Sequence, residues 1–171
     1  MEGCMSSLIG NGPVEFSKGF EKLLEEHVSL RQQLEALLQM VQLLNQQEEK
    51  AEVFADLRKK VSAFFKELEA HSQKEESILF PMLETYIGKS GGPIAVMEYE
   101  HEEAKRLIQS FLTQSDKETM EENMVTHSLL IREAHSLLIS HFMKEENVLF
   151  PMGERLFSES EKEELYVKVA G

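Results

Sequence analysis

Residues 71–82 read H-S-Q-K-E-E-S-I-L-F-P-M, and residues 141–152 read H-F-M-K-E-E-N-V-L-F-P-M. Eight of the twelve positions are identical, so the chain carries an internal duplication. Each copy contains His-x-x-x-Glu: His71 with Glu75, and His141 with Glu145. Residues four apart on a helix lie one above the other on one face, so each copy aims an imidazole and a carboxylate at one point.

The surrounding patterns are helical. Phe16, Phe20, Leu23, Leu24, His27, Leu30, Leu34, Leu37, Leu38, Val41 and Leu44 form one stripe at a period near 3.6, which predicts a first helix ending near Asn45. The polar run 45–50 is the expected turn. A second helix carries Val53, Phe54, Leu57, Val61, Phe64, Leu68, His71, Glu75 and Leu79, and Pro81 is expected to kink it or end it within two turns. I-G-K-S-G-G-P, residues 87–93, is the clearest loop. A third helix starts near Pro93 and carries Ile94, Met97, His101, Ala104, Ile108 and Phe111. Residues 113–117 read as a turn, with Ser115 or Asp116 as a cap. A fourth helix carries Met124, Leu130, Ile131, Ala134, Leu138, His141, Glu145 and Leu149, with Pro151 and Gly153 marking its end. Ser158 with Glu161 is a capping-box pattern that predicts a short fifth helix. No segment alternates at period two. The expected fold is all-α: an antiparallel up-down-up-down four-helix bundle over 13–156, with a flexible arm at 1–12 and a C-terminal tail or short helix at 157–171.

Composition narrows the function. The net charge is -13 and no basic run is present, which argues against nucleic acid and anionic membrane as partners. No apolar run is long enough to span a bilayer, and the N-terminus lacks signal-peptide character, so cytoplasm is the expected location. Cys4 is the only cysteine, which excludes an intramolecular disulfide and a thiolate metal cluster. Any metal site must therefore be built from imidazole and carboxylate.

Folding the two halves as hairpins places the histidines. The midpoint of His27 and His71 falls at residue 49, inside the first turn, and that of His101 and His141 at residue 121, close to the second. All four histidines then share one layer, each on the apolar stripe of its helix. Buried Glu75 and Glu145 without counter-charge would cost several kcal/mol each, and Lys and Arg are scarce on these stripes. Four imidazoles and two carboxylates are too many for one tetrahedral zinc. They suit two metals, with two imidazoles on each and Glu75 and Glu145 bridging, and with iron preferred over manganese or zinc. Each metal would keep positions for a bridging oxygen or a diatomic ligand. His127 lies fourteen residues from His141, about 21 Å along a helix, and His135 is rotated off the inward face. Glu98, three residues before His101, is a weak ligand candidate within an acidic run, and nothing turns Tyr99 inward.

This pattern resembles the hemerythrin-like, or HHE cation-binding, family. The family motif is a histidine on helix 1, His-x-x-x-Glu on helix 2, a histidine on helix 3 and His-x-x-x-Glu on helix 4. Here these are His27, His71 with Glu75, His101, and His141 with Glu145. The resemblance spans about residues 14–155 and implies a bundle with an oxo- or hydroxo-bridged non-haem di-iron centre. The oxygen-carrying hemerythrins have a second histidine where this chain has Lys105, and a helix 4 aspartate at the place of Glu146. The ligand set is more similar to that of the family's iron-sulfur repair and nitric-oxide-response proteins, which carry a cysteine-pair module. The expected function is a di-iron binding protein, monomer or weak homodimer, that handles dioxygen, nitric oxide or peroxide, or stores or senses iron. The alternatives are a di-iron enzyme turning over peroxide or nitric oxide or repairing iron-sulfur centres, and a metal-free helical interaction bundle. The arm, the 87–93 loop and the tail all emerge at the metal end, and one of them is expected to cover it.

Overall fold

A computed structural model of the protein describes residues 13–116 and 119–171. The expected arm at 1–12, with Cys4, lies outside the described residues. Seven α-helical segments follow in order: α1 Lys18–Gln46, α2 Ala51–Lys74, α3 Phe80–Ile87, α4 Pro93–Gln114, α5 Glu121–Lys144, α6 Phe150–Leu156 and α7 Glu159–Ala170. A single π-helical turn, Glu75–Leu79, joins α2 to α3, and a second, Glu145–Leu149, joins α5 to α6. The result is the expected all-α bundle: α1 packs on α2 and α5, α4 packs on α5 and α2, and α7 lies along α1.

The sequence expectations need correction at two places, while the one at Pro81 is met: the second helix runs on past the proline and ends at Ile87, within two turns. The Phe80 N–H reaches back five residues to the Glu75 carbonyl, and the Phe150 N–H does the same to that of Glu145. This wider turn, placed just ahead of each proline, lets the chain pass a residue that would crowd a regular helix. Gly153 is likewise inside α6 rather than at its end. A side chain there would put its Cβ 2.6 Å from the Phe20 ring, so the glycine serves close packing. Neither Ser115 nor Asp116 caps the next helix. α5 starts after Met120 with no side-chain cap, and the buried Ser115 hydroxyl accepts instead from Arg58 Nε at 3.1 Å. Residue 117 of the expected turn is outside the described set, as is residue 118. The loop between the hairpins turns at Gly88 and Gly91, whose φ of 74° and 70° few other residues adopt. Ser158 forms the expected capping box with Glu161.

The apolar stripes meet in two clusters. The larger fills the body of the bundle, with Leu30, Leu34, Leu57, Phe64, Leu68, Ile108, Phe111 and Leu138 among its members. The smaller closes one end, with Phe20, Leu23, Leu79, Phe80, Leu83, Ile94, Leu149, Phe150, Leu165 and Val169. Each such side chain contributes about 1.5–3 kcal/mol on burial. On each of the four long helices a histidine falls near where one cluster gives way to the other, His141 beside Phe142 of the larger one. No described helix is long and apolar enough to cross a membrane.

Candidate metal centre

Between the two clusters lies a polar layer with almost no access to solvent. His27 comes from α1, His71 from α2, His101 from α4 and His141 from α5, and the π turns open with Glu75 and Glu145. Every one of the six is at most 3% exposed. The structure therefore brings together all six residues expected from the sequence.

Their reactive atoms converge. His71 Nε2 is 3.2 Å, and His101 Nε2 3.3 Å, from Glu75 Oε1. His27 Nε2 is 3.2 Å from Glu145 Oε2, His101 Nε2 is 3.7 Å from Glu145 Oε1, and His141 Nε2 also contacts Glu145 Oε1. Two groups of donors result: His27, His71, Glu75 and Glu145, and Glu75, His101, His141 and Glu145, each with its ligand atoms within 4.8 Å of one another. Both carboxylates belong to both groups.

The outer nitrogens meet a second set of carboxylates. His27 Nδ1 donates to Glu146 Oε2 at 2.9 Å, and His101 Nδ1 to Glu76 Oε1 at 2.9 Å. Glu26 Oε1 stands 3.5 Å from His71 Nδ1, and Glu100 Oε1 3.4 Å from His141 Nδ1. A carboxylate only accepts, so the bonded partners keep the proton on Nδ1 of His27, His101 and His141 and turn their Nε2 lone pairs inward, whereas His71 Nδ1 is buried without a hydrogen-bond partner. Cations brace three of the four: Arg31 on Glu146, Lys74 on Glu26 and Lys144 on Glu100. Lys105 acts on the fourth, Glu76, through its charge.

Electrostatics follow from this arrangement. Burial alone would lower the His71 imidazole, but the charge of Glu75, with Glu26 and Glu145, outweighs it and pushes it up to about 10. Burial opposes His101 in the same way, and the nearby carboxylates of Glu145, Glu75 and Glu76 push it up to about 11. Burial would raise Glu145, yet the His141 charge, with Glu75 and His101 close by, holds it well below the usual range. Without a metal, protonated imidazoles supply the counter-charge.

The donors fit metal ions. Both oxygens of Glu75, both of Glu145 and His141 Nε2 are buried without a hydrogen-bond partner, and such orphaned groups are costly unless something binds them. His27 Nε2 and His71 Nε2 are 3.0 Å apart and face the same point. Two nitrogens bound at right angles to one metal at about 2.1 Å would be separated by about that distance.

Other sequence candidates stand apart. Glu98 lies 3.8 Å from Lys89 at the surface, and Tyr99 is 67% exposed. His135 pairs with Glu35 at 2.8 Å, and His127 is half-buried on α5 away from the layer. The supporting carboxylates Glu26, Glu76, Glu100 and Glu146 were not foreseen. Their signal was present: each adjoins a layer residue, in Glu26-His27, Glu100-His101, Glu75-Glu76 and Glu145-Glu146.

Residues 18–153 match the model of the hemerythrin HHE cation-binding domain. The chain belongs to that family. Among curated HHE relatives, the iron-sulfur cluster repair proteins YtfE of Salmonella schwarzengrund (strain CVM19633) and Salmonella newport (strain SL254) are each 37% identical to it over 131 residues. Those alignments cover 73% of this chain and 60% of each relative, so the HHE chain spans less than two thirds of the curated proteins it matches.

Proposed function

We propose that this HHE protein holds two iron ions side by side, one between His27 and His71 and one between His101 and His141, with Glu75 and Glu145 shared and an oxo or hydroxo bridge. One observation carries the reading: both carboxylates belong to both donor groups, and all four of their oxygens lack other partners. Nitrogen and oxygen donors without thiolate fit iron, and four imidazoles with two shared carboxylates exceed what one tetrahedral zinc takes. When bound, such a pair supplies one-electron redox chemistry and open positions for a small ligand: dioxygen, nitric oxide or peroxide. The chain's own residues do the rest. Glu26, Glu76, Glu100 and Glu146 orient the imidazoles, and the two apolar clusters exclude bulk water. The functional unit is residues 13–156, acting as a cytoplasmic monomer or weak dimer, with 157–171 closing its metal end.

Metal content and the optical spectrum of aerobically purified protein test this. Wild type should hold about two irons per chain with near-ultraviolet bands, and Glu75→Ala should hold fewer than one and lose the bands. Two irons retained in Glu75→Ala would sink the shared-carboxylate arrangement. Similarity to the iron-sulfur cluster repair proteins favours a second reading, in which the iron pair serves repair of damaged clusters. Recovery of an oxidatively damaged iron-sulfur enzyme on adding loaded protein would select it. Turnover of peroxide without such recovery would select a redox enzyme.

A further inference from the structure

The duplication makes the two metal positions comparable residue by residue. His27 corresponds to His101, the supporting Glu146 to Glu76, Arg31 to Lys105, and Phe142 to Ser72. The hydrogen bonds from the two histidines to their supports are the same length, 2.9 Å. Phe150 and Phe80 stack on the two histidines alike, but the bracing of the supports differs.

On the first side, Arg31 Nη1 reaches both oxygens of Glu146, at 2.7 and 2.9 Å. Its guanidinium also sits over the Phe142 ring, 5.7 Å from the centroid. Phe142 in turn lies 4.5 Å, centroid to centroid, from the His27 ring, and Phe150 lies 5.4 Å from it. His27 is thus held by a clamped carboxylate and two phenyl rings. On the second side, Lys105 forms no ion pair within 4.0 Å among the described residues. The Phe142 counterpart is Ser72, which has no ring to offer and bonds to the Glu69 carbonyl. His101 has one phenyl neighbour among the described residues, Phe80 at 5.9 Å. Glu76 also lines a surface cavity of about 670 Å³ with Lys89, Ser90, Glu98 and Glu102, so solvent and solutes reach the carboxylate that orients His101.

We infer that the two metal positions are unequal: the one between His101 and His141 gives up its metal first, and Arg31 makes the one between His27 and His71 the retentive position. The inference rests on the two-metal reading above. Arg31 and Lys105 are positioning residues, acting through Glu146 and Glu76. Supports of this kind change metal affinity by roughly 10–100-fold, so the unequal bracing is large enough to separate two release rates.

The test is release of ferrous iron from the loaded full-length chain to excess colorimetric chelator, without oxygen. Wild type should release its iron in two phases of about one metal each, with rates about tenfold or more apart. Lys105→Arg should slow the fast phase and leave the slow one unchanged. Arg31→Lys, which keeps the charge, should speed the slow phase and leave the fast one unchanged. Unaltered far-ultraviolet circular dichroism will show that each variant folds. One phase carrying both metals would overturn the inference while the two-metal reading stands. So would two phases insensitive to both substitutions, or a fast phase that follows Arg31. Loading of fewer than two irons would remove the two-metal reading itself, and the inference with it.

Discussion

The body of the bundle and the polar layer at its end are built from the same four helices by opposite means. The body is apolar, closely packed and satisfied by contact alone. The layer buries two carboxylates and four imidazoles that contact alone cannot satisfy. The body explains why the chain folds, and the layer explains why it folds around something. The duplicated stretch runs from the layer into the apolar end, and it keeps Leu79/Leu149 and Phe80/Phe150 as well as the donors.

The sharpest break between the two regions is a cavity in the body. Phe64 is 1% exposed, and Phe64→Ala should cost about 3–5 kcal/mol in urea unfolding while iron content per folded chain stays at its wild-type value. A loss of iron in step with stability would mean that the layer depends on distant packing.

A second prediction sets the metal-free layer against the loaded one. His71 and His101 are raised in the metal-free fold, to about 10 and about 11, above the ordinary histidine value near 6.5. Their contribution to stability is therefore complete below about pH 6.5 and fades as pH climbs through the raised values. Loaded protein needs neutral imidazoles, so its extra stability should grow as pH rises from about 5 to 8. Thermal melts with and without chelator should diverge with rising pH, and parallel curves would refute the proton-for-metal exchange.

The smallest expected effect is at the apolar end. Phe20 is buried between Phe150 at 5.5 Å and Phe157 at 6.0 Å, so its ring cannot easily yield to a new methyl group. Gly153→Ala should cost about 1–3 kcal/mol by overpacking, with both irons still bound. A neutral result would mean that this end gives way more readily than the body does.

Much of this was legible. The 3.6-residue stripes gave four helices, and simple midpoint arithmetic placed His27, His71, His101 and His141 in one layer. The π turns were not seen, although the spacing carries them. Inward positions run 71, 75, 79, 83 and 141, 145, 149, 153, three successive steps of four. A regular helix would drift by about 40° at each step, so only a locally unwound turn keeps them on one face. The supporting carboxylates were missed for a different reason. Glu76, Glu100 and Glu146 sit in acidic runs that read as solvated, and only the approach of a histidine from another helix draws them in. At the apolar end of the bundle α7 packs along α1, and its Leu165 and Val169 complete the apolar cluster.

The sharing of Glu75 and Glu145 has a consequence for how such a chain is put together. Each donor group takes one carboxylate from its own helical hairpin and one from the other, so neither hairpin holds a complete position. Two of the supporting contacts, Glu76 to His101 and Glu146 to His27, also cross between hairpins. In assembly terms the molecule is a two-fold dimer of helical hairpins, made permanent by one short loop at residues 88–92. The layer of histidines and glutamates is its subunit interface.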